Sequence, residues 1–163
     1  MMDTLCVTGH RPNKLFGYNL SHPKWVKLKE IFKELLIQHE CKEAISGMAL
    51  GVDTIFALAV LELKESGNDI KLHVVIPCLN QSCKWRENDQ KLHQSIVDKA
   101  DKVTYVSSQP YSRECMQKRN EFMVDNSDGV IAVWDGSPGG TANCVLYAKK
   151  VKKPVLALKV IKE

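Results

Sequence analysis

The chain has no apolar run approaching the ~20 residues that a bilayer-spanning helix needs, so no membrane partner is expected. It is poor in aromatics, at 7%. It also lacks a basic stripe interleaved with stacking rings, the usual equipment of a single-stranded nucleic-acid binder. Nucleic acid is therefore not an expected partner. Neither a GxGxxG fingerprint nor a GxxxxGK[ST] loop occurs, which argues against a standard dinucleotide dehydrogenase and a P-loop NTPase. The six cysteines are scattered and do not form a disulfide framework. Cys78 and Cys83 are spaced C-x4-C without a second pair or a histidine pattern, so neither a metal site nor a cofactor is expected. There is no internal repeat, low-complexity tract or linker. No basic leader precedes the first strand pattern, so no signal peptide is expected and the expected compartment is the cytoplasm.

What the chain does have is a regular alternation of short apolar runs and longer amphipathic ones. Its 163 residues suit a single domain spanning 1–163, and 44% hydrophobic with 26% charged residues is ordinary for a globular protein. Strands are predicted at 4–8, 43–46, 71–76, 102–106, 129–134 and 154–160. Helices are predicted at 23–39, 52–64, 85–99, 112–126 and 140–150. In the first helix Trp25, Leu28, Ile31, Phe32, Leu35 and Leu36 fall on one face at helical spacing. Strands alternating with helices predict an α/β fold: a Rossmann-like parallel sheet with helices on both faces. The longest irregular stretch, 9–22, follows the first strand, where a ligand-contacting loop is expected.

In such a sheet ligands sit outside the carboxyl ends of the strands. Thr8, Gly9, His10 and Arg11 follow the first strand. Ser46, Gly47, Met48, Gly51 and Asp53 follow the second. Pro77 follows the third, and Asp135, Gly136, Ser137, Gly139, Gly140 and Thr141 follow the fifth. Glycine allows a close approach to main-chain N–H groups, and a helix that starts at such a turn attracts anions. Thr141 can cap its helix, bind a phosphate, or both. Arg11 suits bidentate recognition of phosphate or carboxylate, and His10 can act as acid, base or donor. Arg119 and Asn120 lie on the helix before the fifth strand, where an Arg–Asp pair fixing local structure is as good an account as a ligand role. Trp85 and Trp134 are core or stacking residues, with Trp134 better placed for stacking. The net charge of +4 is compatible with an anionic ligand without requiring a nucleic-acid surface.

These segments together resemble the YpsA/YspA-like branch of the SLOG superfamily: 8–12, 46–53, Arg119 and Asn120 with Met123, Val124 and Asp125, and 135–143. They occur in the family's order and span nearly the whole chain. The resemblance implies a Rossmann-like fold, a pocket for a nucleotide or an NAD/ADP-ribose-derived small molecule, and frequent dimerisation. The protein would then be a sensor or sequestering module. The alternative is an N-glycosidic hydrolase, like the related Lonely Guy phosphoribohydrolases, acting on a nucleoside monophosphate or NAD-derived metabolite. In those proteins a Glu follows a P-G-G-x-G-T turn. Here Pro138, Gly139 and Gly140 run into Thr141, Ala142 and Asn143 with no Glu, which weakens the hydrolase reading, and Asp53 or Asp135 would have to serve instead. Single-stranded DNA binding, as in the related Smf/DprA proteins, is the less favoured third expectation. A homodimer is also expected, because the helix at 52–64 is apolar nearly all round and must be covered on most sides.

Overall fold

The computed structural model describes residues 1–159. Six strands alternate with five helices: β1 (Thr4–Gly9), α1 (Pro23–Gln38), β2 (Glu43–Ser46), α2 (Val52–Glu65), β3 (Lys71–Ile76), α3 (Glu87–Lys99), β4 (Lys102–Tyr105), α4 (Arg113–Asp125), β5 (Gly129–Val133), α5 (Gly140–Lys150) and β6 (Val155–Leu158). All strands pair in parallel, in the order β4-β3-β2-β1-β5-β6. The predicted elements are all present, with ends moved by a residue or two. The predicted β-residue Val160 lies outside the described residues. α3 begins at Glu87 rather than Trp85 because the preceding residues form turns, and Gln90 reaches back to donate to the Trp85 carbonyl at 2.8 Å. Ser112 is the N-cap of α4: its hydroxyl accepts from the Cys115 N–H at 3.1 Å.

The order of the strands explains the layers. From β1 the chain steps outward through β2 and β3 to β4, then returns to place β5 on the other side of β1. Right-handed crossovers put the helices of the two directions on opposite faces. Trp25, Leu28 and Phe32 of α1, Ile55 and Phe56 of α2 and Ile96 of α3 pack on Leu5, Val7, Leu72, Val74, Ile131 and Val133. On the opposite face Met123 and Val124 of α4 and Cys144 and Ala148 of α5 pack on Cys6, Ile45, Val75 and Val130. Alternate residues of β1 and β5 thus point to opposite cores, as the pleat requires.

The nearly all-round apolar α2 is covered within the chain. The sheet lies under it, and α1 and α3 lie beside it, burying Val52 to Ala57, Ala59, Val60 and Leu63. The cover that was expected from a second subunit comes from neighbouring helices. Among the described residues no helix is long and apolar enough to cross a membrane.

Candidate functional site

The reversal of direction leaves a crevice at the carboxyl ends of β1 and β5, where Gly9 pairs with Val133. The residues that follow are tied across it. His10 Nε2 lies 2.9 Å from Asp135 Oδ1, and the Ser137 N–H donates to the same oxygen at 2.9 Å. Hydrogen bonds from Ser137, then from His10, hold the Asp135 carboxyl far below the usual carboxylate range. The Asp135 N–H also approaches His10 Nε2, at 3.3 Å, so the backbone and the carboxyl of Asp135 both meet the same ring nitrogen. The pair therefore latches the loop after β1 to the loop after β5.

Beside this latch opens a cavity of about 780 Å³. One wall is the start of α5. Gly139, at φ 140°, is its N-cap and supplies no side-chain cap, so the first N–H groups of the helix face the opening. Thr141 lines the cavity, and its hydroxyl has no hydrogen-bond partner among the described residues, although the residue is only 8% exposed. The Lys14 Nζ stands 3.9 Å from where a Gly139 Cβ would be, which places a cation over the helix start. Lys14 belongs to a short 3-10 turn, Pro12–Lys14, in the long loop after β1. Gly51, at φ 91°, lets α2 begin against that loop: a Cβ there would come within 2.9 Å of the His10 carbonyl.

The floor is built on Arg119 and Asp53, both buried. Arg119 donates from Nη1 to the Gly47 carbonyl at 2.5 Å and from Nε to Asn120 Oδ1 at 3.0 Å. The Gly47 carbonyl also accepts from Gln81 Nε2 at 2.9 Å. A side chain at position 47 would collide with the Arg119 guanidinium, so this glycine is required by a close approach. Asp53 Oδ2 accepts from the Ala49 N–H at 3.2 Å. The Ser46 hydroxyl donates to the Asp53 carbonyl at 2.8 Å and accepts from the Met48 N–H at 3.2 Å. Burial raises the Asp53 carboxyl above its ordinary value, against the opposing pull of Arg119 and Arg11. Burial also lowers the Arg119 guanidinium, while Asp53 supports its charge. Burial pushes the Cys144 thiol up to about 11, and Cys6 is raised further by the same cause. These thiols are core residues rather than nucleophiles.

The sequence-predicted residues separate by position. Thr8, Gly9, His10 and Arg11 line the cavity from the β1 side, Asp53, Arg119 and Asn120 from the floor, and Ser137, Gly139, Gly140 and Thr141 from the α5 side. Ser46, Gly47, Met48 and Gly51 stand behind Asp53 and Arg119 and hold them in place. Asp135 and Gly136 sit outside the wall, Asp135 acting through the His10 latch. Pro77 is buried after β3 and off the cavity. Trp134 is also off the wall, its ring N–H donating to the Ser137 carbonyl at 2.8 Å. The exposed rings on the wall are Tyr18 and Tyr111. Sequence reasoning missed these two, and it missed the cations Lys14 and Arg113. Arg11, Lys14, Arg113 and Arg119 come together only in the fold, so the chain has a basic concave surface without a basic stripe.

The comparisons agree with this architecture. The chain is 34% identical over 156 residues to a UPF0398 protein of Brevibacillus brevis, covering 92% of this chain and 83% of that one. It is 32% identical over 146 residues to the SPbeta prophage-derived protein YoqJ of Bacillus subtilis, covering 80% and 85%. Among solved structures it resembles DNA processing protein A of Helicobacter pylori, described for its single-stranded DNA binding mode, with a TM-score of 0.65 at 19% identity. It also resembles the same protein from Streptococcus pneumoniae, with a TM-score of 0.64 at 19% identity. These two likenesses cover 94% of this chain but only 64% and 49% of the DNA processing proteins, and at this identity they speak for the fold alone. A family model matches residues 5–161, and the chain belongs to the YspA SLOG family.

Proposed function

We propose that the cavity binds a phosphate-bearing nucleotide, or a small molecule derived from NAD or ADP-ribose, and that the protein serves as a sensor or sequestering module. One observation carries this reading. Four cationic side chains (Arg11, Lys14, Arg113 and Arg119) and one carboxylate (Asp53) line a concave site that ends on a helix N-terminus. A wall with that charge excess concentrates anions, and the first N–H groups of α5 with the Thr141 hydroxyl supply directional donors for phosphate oxygens. The volume falls in the range of about 300–1,000 Å³ usual for small-molecule sites. Tyr111 offers a flat face to a base at the rim, while the Tyr18 ring already carries the Arg86 guanidinium 4.8 Å from its centroid on one face.

Hydrolysis of an N-glycosidic bond is the second reading, and a specific feature favours it: Asp53 is a carboxyl in the wall whose burial favours its protonated form, as a general acid requires. Single-stranded DNA is a third class of ligand, suggested by the fold of the Helicobacter pylori protein and by cations interleaved with tyrosines at the rim. A homodimer would have to be built on a surface other than α2.

One panel separates these readings. The protein is titrated calorimetrically with AMP, ADP-ribose, NAD and a short oligothymidylate, and each mixture is then analysed by mass spectrometry. Saturable binding of a mononucleotide or ADP-ribose recovered intact supports the module. Release of free base or nicotinamide moves the assignment to the hydrolase. Binding of the oligonucleotide alone moves it to DNA, and silence from every compound contradicts all three.

A further inference from the structure

Asp53 is an unusual group to find in this wall. It is 6% exposed and lines a cavity otherwise dominated by cations. Its Oδ2 takes the Ala49 N–H. Its other oxygen has no hydrogen-bond partner among the described residues, and no side chain lies within ion-pairing distance of it, Arg11 and Arg119 included. No side-chain oxygen sealed from solvent lacks a partner among the described residues, so this Oδ1 opens into the cavity. The Ala49 N–H and the charges of Arg119 and Arg11 favour the ionised form of Asp53 against its burial, and an ionised carboxylate oxygen accepts and does not donate. It would repel a phosphate, and a bound molecule that covered it without donating would leave it desolvated and unpaired. The molecule that fits must bring a hydrogen-bond donor to Asp53 while it brings its anion elsewhere.

The anion's place is the start of α5, after β5. Asp53 stands at the start of α2, after β2. In the sheet β1 lies between β2 and β5, so along the sheet edge the two points are offset by two strand spacings, about 10 Å. A sugar phosphate with a hydrogen bond at each end reaches across such a gap. A base attached to that sugar lies farther from the phosphate, towards the rim where Tyr18 and Tyr111 are exposed. On the reading of the cavity as a nucleotide site, we propose that Asp53 accepts hydrogen bonds from the hydroxyls of a ribose, so that the site selects ribonucleotides and ribose phosphates over deoxynucleotides and sugar-free phosphate. Asp53 acts on binding; it sets which sugar is admitted, and the Ala49 N–H and the Ser46 bond to its own carbonyl fix its orientation. Selection for ribose also sets the site against DNA.

The test is a set of dissociation constants for the full chain with AMP, 2′-deoxy-AMP, 3′-deoxy-AMP, ribose 5-phosphate and inorganic phosphate, measured for the wild type and for Asp53→Asn. The wild type is expected to prefer AMP over at least one deoxy analogue by about tenfold or more, because a site built to pair a hydroxyl discriminates strongly against its absence. Asp53→Asn retains an acceptor for the Ala49 N–H, and is expected to narrow that preference to about threefold or less without weakening inorganic phosphate. A wild type that binds AMP and both deoxy analogues equally overturns the assignment of Asp53 while leaving the nucleotide reading standing. The assignment falls in the same way if Asp53→Asn keeps the full preference. If neither inorganic phosphate nor any nucleotide binds the wild type, the nucleotide reading itself falls. A flat wild-type ratio overturns the assignment without any variant, and if Asp53→Asn fails to fold, Asp53→Ser is read in the same way.

Discussion

The two ends of the sheet treat polar groups in opposite ways. At the amino ends of the strands they are paired with each other. Asp128 accepts the Thr4 N–H at 2.9 Å, Asp101 accepts the Leu72 N–H at 2.8 Å and the Lys64 ammonium at 2.5 Å, and Lys153 donates to the Ser127 carbonyl at 2.8 Å. At the carboxyl ends some are paired, as in His10 with Asp135 and Arg119 with the Gly47 carbonyl, and others around the cavity are left open. Among the described residues the Thr141 hydroxyl has no partner, Asp53 has an unshared oxygen, and Arg11, Lys14 and Arg113 make no ion pair. The two buried ones, Thr141 and Asp53, are costly for folding, whereas the exposed cations are solvated. The amino end therefore contributes stability, and on the proposed function the carboxyl end contributes recognition.

The largest expected effect that sharpens this contrast is at Gly140. A Cβ there meets nothing within 4 Å, so Gly140→Asp should fold while placing a negative charge against the incoming anion. Affinity for a phosphate-bearing nucleotide should fall by about 100-fold or more, since like charges facing each other cost several kcal/mol. Calorimetry beside circular dichroism checks it, and unchanged affinity in a folded variant would break the contrast. Arg11→Ala should come next, weakening affinity by about 1.5–3 kcal/mol, the range for a charged hydrogen bond. Thermal stability should stay near the wild type, because the Arg11 side chain is exposed and makes no hydrogen bond or ion pair among the described residues. A lower melting temperature with intact binding would make Arg11 structural.

The converse belongs to the other end. Asp128→Ala should cost about 0.5–1.5 kcal/mol of stability by losing the bond to Thr4, and nucleotide affinity should not move. Chemical denaturation and the same titration read both halves of that statement. The smallest effect concerns Asp53 and pH. Burial raises its folded-state carboxyl above the unfolded value. The stability linked to its protonated form is thus fully present below the unfolded range and is lost as pH rises through the folded value. Asp53→Asn escapes that loss, so it should be slightly more stable than the wild type at neutral pH, with the gap closing as pH falls. A variant less stable at every pH would give Asp53 a structural role.

Much of this contrast was legible in the sequence, and the rest was not, for definite reasons. The alternation of short apolar runs and amphipathic stretches located the strands and helices, since period is a local property. The glycine turn at Gly139 and Gly140 announced the start of α5. The position of Arg119 did not announce its role: its bond to the Gly47 carbonyl joins residues 72 apart. Lys14 and Arg113 were missed because their approach to the cavity depends on how loops from different strands converge. Trp134 looked like a stacking ring from its place at a strand end, but its N–H is engaged by the Ser137 carbonyl. The apolar circumference of α2 does demand cover, but periodicity alone does not say whether the cover comes from the same chain.

The central claim, that the carboxyl end of the sheet is an open anion site, is tested most directly by a crystal structure of the protein with the tightest-binding compound of the nucleotide panel. The account predicts a phosphate group within hydrogen-bond distance of the Gly140 and Thr141 N–H groups and the Thr141 hydroxyl, with Lys14 or Arg11 turned towards it. A nucleotide bound on any other surface, with the β1–β5 crevice left to solvent, would contradict it.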